Sequence, residues 1–382
     1  MPAILNSDIS VEIASTWDTI SERWRALEQH AQASPFQTAH WIGNWYETFS
    51  APGAVEPVIV TVVERSSGRD LMMIPFVRRS ENGIRRIEFA DLWVTDYNAP
   101  LLRFGHNFHG RFEQEVWPAV LAALPPADVL ILRKMPVSLG AMMNPLTTLS
   151  AVESSDLSGH IADLGDDWGA YVSSLSKSAL RELRRRTAKF ANEHGGHLRR
   201  ITTHADAFAA LDVLQQQQTA RLAARGAKHV FDDPRYQELY RRQLLQGLTT
   251  GHALMFTLVG DGEIVATFLA LSNGKGHHTL VRMSQSPEPK WKSLGLGKMI
   301  IHRALEVLHA EGCRTFDLSV GSNRYKSEFG VSAIPMAELT ARLSWRGAPF
   351  MARRKAVTYL QRNPHLMTLA RSVAGKLQRP AA

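Results

Sequence analysis

One pattern occurs twice along this chain of 382 residues: a strand hairpin, a third strand, a helix and a fourth strand. In the first half, the strand-like runs Val58–Glu64 and Leu71–Val77 flank Ser66-Ser-Gly68-Arg-Asp70. Arg85–Ala90 then reads as a strand, Phe112–Leu124 as a helix and Val129–Arg133 as a strand. In the second half, Leu254–Val259 and Ile264–Leu271 flank Gly260-Asp-Gly262-Glu263, and His277–Met283, Met299–Ala310 and Arg314–Val320 repeat the order. The repeat predicts an α/β protein with α+β mixed sheets, built from two copies of one unit. Its expected units are residues 1–150, residues 151–340 and a tail, 341–382. Residues 136–170, with Pro136, Pro145, several serines and Gly159, read as the linker.

Upstream of the first hairpin, residues 9–14 read as a strand and Trp17–Ala31 as a helix with Ile20, Trp24 and Leu27 on one face. The next stretch carries Phe36, Trp41, Trp45, Tyr46 and Phe49 at helical spacing, which points to core, with Gln37, Thr38 and His40 as candidates for a pocket rim. After the linker, Ser176–Asn192 is a basic helix with Lys177, Arg181, Arg184, Arg185, Arg186 and Lys189; Ser176 is its N-cap, and Leu180, Leu183 and Ala188 are its core face. A helix over Ala207–Ala224 leads to a loop, Gly226–Pro234, carrying Lys228, His229, Asp232 and Asp233.

The halves differ in one loop. Lys292-Ser-Leu-Gly295-Leu-Gly297-Lys298 stands between a strand and a helix only in the second half. Free N–H groups at a helix start attract anions, and glycine lets a ligand approach the backbone. The loop lacks the G-x-G-x-x-G of dinucleotide sites and the G-x-x-x-x-G-K-[ST] of P-loops. Written Lys292-x-x-Gly295-x-Gly297, it resembles the coenzyme A pyrophosphate loop of GNAT-type acyltransferases, [QR]-x-x-G-x-[GA], with lysine replacing the first residue. After the helix come a strand ending Phe316-Asp317, then Gly321 and Tyr325-Lys326-Ser-Glu-Phe329-Gly330. From Ser286 to Gly330 the chain resembles the CelD/FemAB-like branch of the GNAT superfamily. Ser34–Trp41, Asp96-Tyr-Asn-Ala-Pro100 and Leu175–Arg184 extend that likeness upstream.

The resemblance implies tandem GNAT-like domains with a cleft between them and an acyl-CoA co-substrate on the second. Its cofactor residues would be Lys292, Ser293, Leu294, Gly295, Leu296, Gly297 and Lys298, with Arg282, Met283 and Ser284 as the splayed strand. Asp317, Tyr325 and Lys326 are the catalytic candidates, and Asp96, Tyr97, Lys177, Arg181 and His278 the acceptor-side candidates. Asp317 fits a base or a loop-holding carboxylate; Tyr325 fits a donor to the departing thiolate or a packed ring. His277 and His278 alternate faces, so only one reaches a given site. An amine near its reference pKa of about 10.4 must lose a proton before attack, so a base is useful. The implied acceptor is an amine on an amino sugar, amino acid or envelope polysaccharide component. Two alternatives stand beside it: aminoacyl transfer from tRNA, as in FemAB-like enzymes, and a non-catalytic module of exopolysaccharide synthesis.

Composition narrows the field. Hydrophobic residues make up 45% and charged residues 21%, which suits folded domains. The single cysteine, Cys313, excludes a disulfide framework and a Cys-based zinc cluster. With no His-Glu-x-x-His, no metal is expected. Met1–Ser15 carries Asp8 and Glu12 without a basic segment and apolar core, so no signal peptide is expected and the protein is read as cytoplasmic. Net charge is +8, and after Glu338 no acidic residue follows Arg342, Arg346, Arg353, Arg354, Lys355, Arg362, Arg371, Lys376 and Arg379. That tail is a solvated basic segment or a contact for anionic membrane or nucleic acid.

Overall fold

A computed structural model describes residues 8–51, 53–106, 108–227, 230–321 and 325–362. Lys228, His229, part of the 321–330 loop, and Arg371, Lys376 and Arg379 of the tail lie outside the described residues, as does the start of the N-terminal segment.

The first half runs β1 (Ile9–Ala14), α1 (Ser21–Gln29), β2 (Ala31–Gln32), α2 (Ala39–Phe49), β3 (Val55–Glu64), β4 (Asp70–Glu81), β5 (Ile84–Phe89), β6 (Leu101–Arg103), α3 (Trp117–Ala123) and β7 (Val129–Pro136). A small ribbon, β8 (Ser138–Leu139) and β9 (Met142–Met143), precedes β10 (Glu153–Asp163). Then come α4 (Trp168–Ser174), α5 (Lys177–His194), β11 (His197–Ile201), α6 (His204–Ala223), α7 (Pro234–Thr250), β12 (Ala253–Gly260), β13 (Glu263–Ser272) and β14 (His278–Gln285). The chain closes with α8 (Pro289–Lys292), α9 (Leu296–Ala310), β15 (Thr315–Asp317), β16 (Val331–Arg342) and α10 (Ala348–Arg362). No described helix is long and apolar enough to cross a membrane.

The repeat is visible in the pairing. β3 and β4 pair antiparallel, as do β12 and β13; β5 then pairs parallel with β7, and β14 with β15. Turn chemistry sets both meanders. Asn82-Gly83 and Asp261-Gly262 each place two consecutive residues at positive φ (52° and 75°; 51° and 80°), the twist that suits two-residue hairpins.

Both halves join in one sheet of order β1-β3-β4-β5-β7-β16-β10-β15-β14-β13-β12-β11. Its seam corrects the linker expected at 136–170. Glu153–Asp163 is a strand inside that stretch, paired with β15 on one side and β16 on the other. β16, late in the chain, crosses back to pair with β7, from Arg342 opposite Val129 to Met336 opposite Pro136. Polar, serine-rich β10 reads as linker in the sequence because propensity ignores the neighbours that hold it.

Three cores support the sheet. One lies under the first half, one under the second, and the third packs α1 and α2 against α6 and α7 across the seam. Phe36, Trp41, Trp45, Tyr46 and Phe49 are all buried there; Phe49 meets Tyr236 with ring centroids 5.2 Å apart. Burying each such side chain stabilises by about 1.5–3 kcal/mol. Gln37 and Thr38 belong to this core, Gln37 donating to the Tyr97 carbonyl at 2.7 Å and Thr38 capping α2, while His40 packs against His252.

Other boundaries shift. The helix expected over Trp17–Ala31 forms only over Ser21–Gln29, and Arg314–Val320 keeps strand geometry only at Thr315–Asp317. Ser176 caps α5 as expected, its Oγ accepting from the Ala179 amide. The core face of α5 is Leu180 and Phe190; Ala188, expected inward, is exposed. Asp233 caps α7 rather than sitting in an open loop.

Candidate active site

β14 and β15 pair only at His278 with Phe316 and Thr279 with Asp317, and β14 then runs on alone to Gln285. The strands therefore part into a wedge. On its other edge β14 carries a bulge: Leu269 pairs with Arg282 and Ala270 with Leu280, leaving Val281 extra. A bulge re-aims the backbone and frees its amide from the ladder. The wedge opens into a cleft of about 640 Å³, lined by Leu280–Met283, Gln285, Gly295, Gly297, Lys298, Leu318–Val320, Tyr325, Lys326, Asp96, Arg221 and Arg225.

One end of the cleft is built for anions. Gly295, at φ 63°, is the N-cap of α9, and Gly297 lies within the first helical turn. A side chain at 295 would be strained and would meet Arg186, whose Nη1 lies 2.7 Å from the position of an added Cβ. Arg186 is held there by Glu182, which accepts from its Nε at 2.7 Å. The Gly297 amide donates to Gln285 Oε1 at 2.9 Å. Gln285 is exposed, so its side chain can yield to a ligand oxygen. Arg221, in the last turn of α6, and Arg225, just beyond its end, are exposed and add charge.

The other end holds a chain of polar groups. Lys326 is buried, its Nζ donating to the carbonyls of Ser319 (2.9 Å) and Val320 (3.0 Å). Burial lowers its pKa to about 8, opposed by the charges of Asp96 and Asp317. Asp96 accepts from Ser319 Oγ, and burial pushes its carboxyl above the usual range. Ser319 sits at φ 66°, a conformation costly for a residue with a Cβ. That turn aims its amide at Asp317 Oδ1 (2.6 Å) and its hydroxyl at Asp96. Strain of this kind collects at functional sites.

Residues 177–327 match the family model described as an acetyltransferase (GNAT) domain. That stretch resembles GNAT acetyltransferases. No curated protein matches the chain. Three solved structures share its fold over most of both chains. FemX is 8% identical with a TM-score of 0.54, over 85% of this chain and 96% of that one. The tandem GNAT protein from the clavulanic acid biosynthesis pathway is 12% identical with a TM-score of 0.50, over 88% and 99%. L-PGS from Bacillus licheniformis is 14% identical with a TM-score of 0.50, over 86% and 93%. The fold is thus one shared with a tandem GNAT protein, and the wedge lies within the residues that the GNAT family model matches.

The expected site residues divide. Gly295, Gly297, Lys298, Arg282, Met283, Tyr325, Lys326 and Asp96 all line the cleft. Lys298 is paired with Glu328 at 2.6 Å, so its charge is already balanced. Tyr325 is half-buried, and burial raises its hydroxyl pKa. Leu294 and Leu296 are core residues beneath the loop. Lys292 ends α8 and, like Ser293, is exposed outside the cleft lining. Ser284 is buried, its hydroxyl taken by Thr267 (2.6 Å) and Gln217 (2.7 Å).

Asp317 and Tyr97 face elsewhere. Both line a second cavity of about 730 Å³, with His277, Gln32, Ser34, Asn273 and Lys275 among its walls. Tyr97 Oη donates to Asp317 Oδ1 at 2.9 Å, and His277 Nε2 lies 3.5 Å from Asp317 Oδ2. His277 is thus the histidine of the pair that reaches a cavity; His278, its pKa lowered to about 4 by burial, lines neither. Lys177 and Arg181 are exposed on α5 and line neither cavity. No cluster of metal ligands occurs among the described residues.

Arg186, Arg221, Arg225, Gln285, Ser319 and the Val281 bulge were not singled out as site residues from the sequence. The spacing of Arg221 and Arg225, one helical turn apart, was the one available signal. The bulge has none, since it depends on the register against β13.

Proposed function

We propose that the protein is an acyl-CoA-dependent N-acyltransferase whose reaction runs in the β14–β15 wedge. The observation that carries this reading is the wedge itself: strands parting after Thr279 and Asp317, a bulge at Val281, and a glycine N-cap opening α9 at the same mouth. In this reading, residues 151–340 hold the donor and residues 1–150 wall the acceptor side.

The α9 amides at Leu296 and Gly297, with Arg186, Arg221 and Arg225, hold the donor phosphates. A backbone amide at the Val281 bulge donates to the thioester oxygen as charge builds there. Asp96, its carboxyl made more basic by burial, takes the proton from the incoming amine as the N–C bond forms. Tyr325 gives a proton to the sulfur as the C–S bond breaks. Lys326, its Nζ donating to two carbonyls, fixes the turn that carries Ser319. The acceptor belongs to the amino-sugar, amino-acid or envelope-polysaccharide class, and the reading places the enzyme in the cytoplasm. The basic C-terminal segment would meet anionic membrane.

Titration of CoA and acetyl-CoA into the wild type and Gly295→Trp tests the reading. Saturable binding by the wild type, lost in the variant, supports it. Saturable tRNA binding without CoA binding would replace it with aminoacyl transfer, for which the exposed basic face of α5 is the structural argument. CoA binding without thioester turnover across a broad amine panel would point to a non-catalytic module.

A further inference from the structure

Arg282 stands beside the bulged Val281 on β14 and lines the cleft, yet is only 2% exposed. Its Nε donates to Gln218 Oε1 at 3.2 Å, and its Nη2 to Gln215 Oε1 and Gln218 Oε1 at 2.7 and 2.6 Å. Both partners are neutral amides. The rings of Phe231 and Tyr240 lie 4.7 and 4.8 Å from the guanidinium carbon. Among the described residues no carboxylate forms an ion pair with it, and Nη1 has no hydrogen-bond partner.

An unpaired buried charge costs several kcal/mol, and buried guanidinium groups are ordinarily matched by carboxylates. Burial lowers the Arg282 pKa to about 10, so it remains a cation at neutral pH. The cage around it is itself anchored. Gln218 Nε2 donates to the Met283 carbonyl at 3.0 Å, and Gln215 Nε2 to the Phe231 carbonyl at 2.8 Å, which turns both amide oxygens toward the arginine. The guanidinium is held in place, while the supply of acceptors stops one nitrogen short.

We infer that Arg282 is the receptor for a carboxylate on the small molecule that reacts in the cleft. The inference rests on the function proposed above and deepens it. The phosphate-holding groups gather at the mouth, around Gly295 and Arg186. Arg282 adjoins the bulge, so the anion it reads lies near the reacting atoms. A carboxylate oxygen accepting from Nη1 supplies the missing partner and neutralises the charge. Two molecules can bring it: a dicarboxylic acyl group on the donor, or an amino-acid acceptor.

Calorimetric titration separates the cases. The wild type, Arg282→Lys and Arg282→Met are titrated with CoA, butyryl-CoA and succinyl-CoA, and the CoA-saturated proteins with common amino acids and their amides. The expected result is a preference of about ten-fold or more for the carboxylate-bearing member of one pair, abolished in Arg282→Met and weakened in Arg282→Lys. Preference for succinyl-CoA assigns the carboxylate to the donor; preference for amino acids over amides assigns it to the acceptor. CoA binding with no preference in either arm of the wild type overturns the inference and leaves the proposed function standing. Absence of CoA binding overturns both. The wild-type comparison decides even where a variant fails to fold.

Discussion

The Tyr97 hydroxyl donates to Asp317 Oδ1 at 2.9 Å although the two residues are 220 positions apart. This bond ties the loop after β5 to the last residue of β15. Through Ser319, whose amide also serves Asp317 and whose hydroxyl serves Asp96, it links the wall of the second cavity to the floor of the cleft. Tyr97→Phe removes a donor from a buried carboxylate. The expected loss is about 1.5–3 kcal/mol of unfolding free energy, measured by urea denaturation. A change within a few tenths of a kcal/mol would show that the bond does not hold the two halves.

Gly159 on β10 abuts the same tyrosine: an added Cβ would sit 2.2 Å from Tyr97 Oη. Gly159→Ala is expected to destabilise by about 1–3 kcal/mol through overpacking. In the double variant with Tyr97→Phe, which lacks that oxygen, the combined loss should fall short of the sum of the single losses. Strict additivity in denaturation midpoints would contradict the contact.

Lys326 gives a pH signature. Its folded pKa is about 8 against an ordinary 10.5, so between those values the unfolded chain binds a proton that the folded one lacks. Stability from this group therefore rises as pH increases from 8 toward 10.5, and its charge penalty is fully present below 8. The difference in unfolding free energy between wild type and Lys326→Met should shift toward the wild type over that window. A flat difference would place the lysine in an ordinary solvated setting.

Asp96 carries the opposite sign. Its carboxyl pKa is raised in the fold, so the folded state binds the proton more tightly and loses stability as pH climbs above the ordinary carboxylate range. Asp96→Asn should gain stability relative to the wild type at neutral pH compared with pH 4, and should lose thioester turnover. Retained turnover in a thiol-release assay would remove Asp96 from the role of base.

On α5, Phe190 is 1% exposed and packs edge-on to Trp291 with centroids 6.1 Å apart. Phe190→Ala should cost about 3–5 kcal/mol. Ala188→Ser, on the exposed face, should stay within about 0.5 kcal/mol. Thermal melts of both variants would reveal an inverted helix if the order were reversed.

The repeat, the classes of element and the loop at Gly295–Gly297 are legible in the residues alone. These are local: period-two and helical patterns, the Asp261-Gly262 turn, and a glycine-punctuated helix start. The amphipathic pattern also found Leu180 on α5, while crediting Ala188 with a place that the larger Phe190 takes. That β16 closes the first half's sheet, that β10 is a strand, and that Asp96 and Asp317 line different cavities emerges only from the assembled sheet. The reason is physical. Strand pairing, the Val281 bulge and the cage around Arg282 are set by which distant residues become neighbours, and an unmatched charge becomes visible only once burial removes its water.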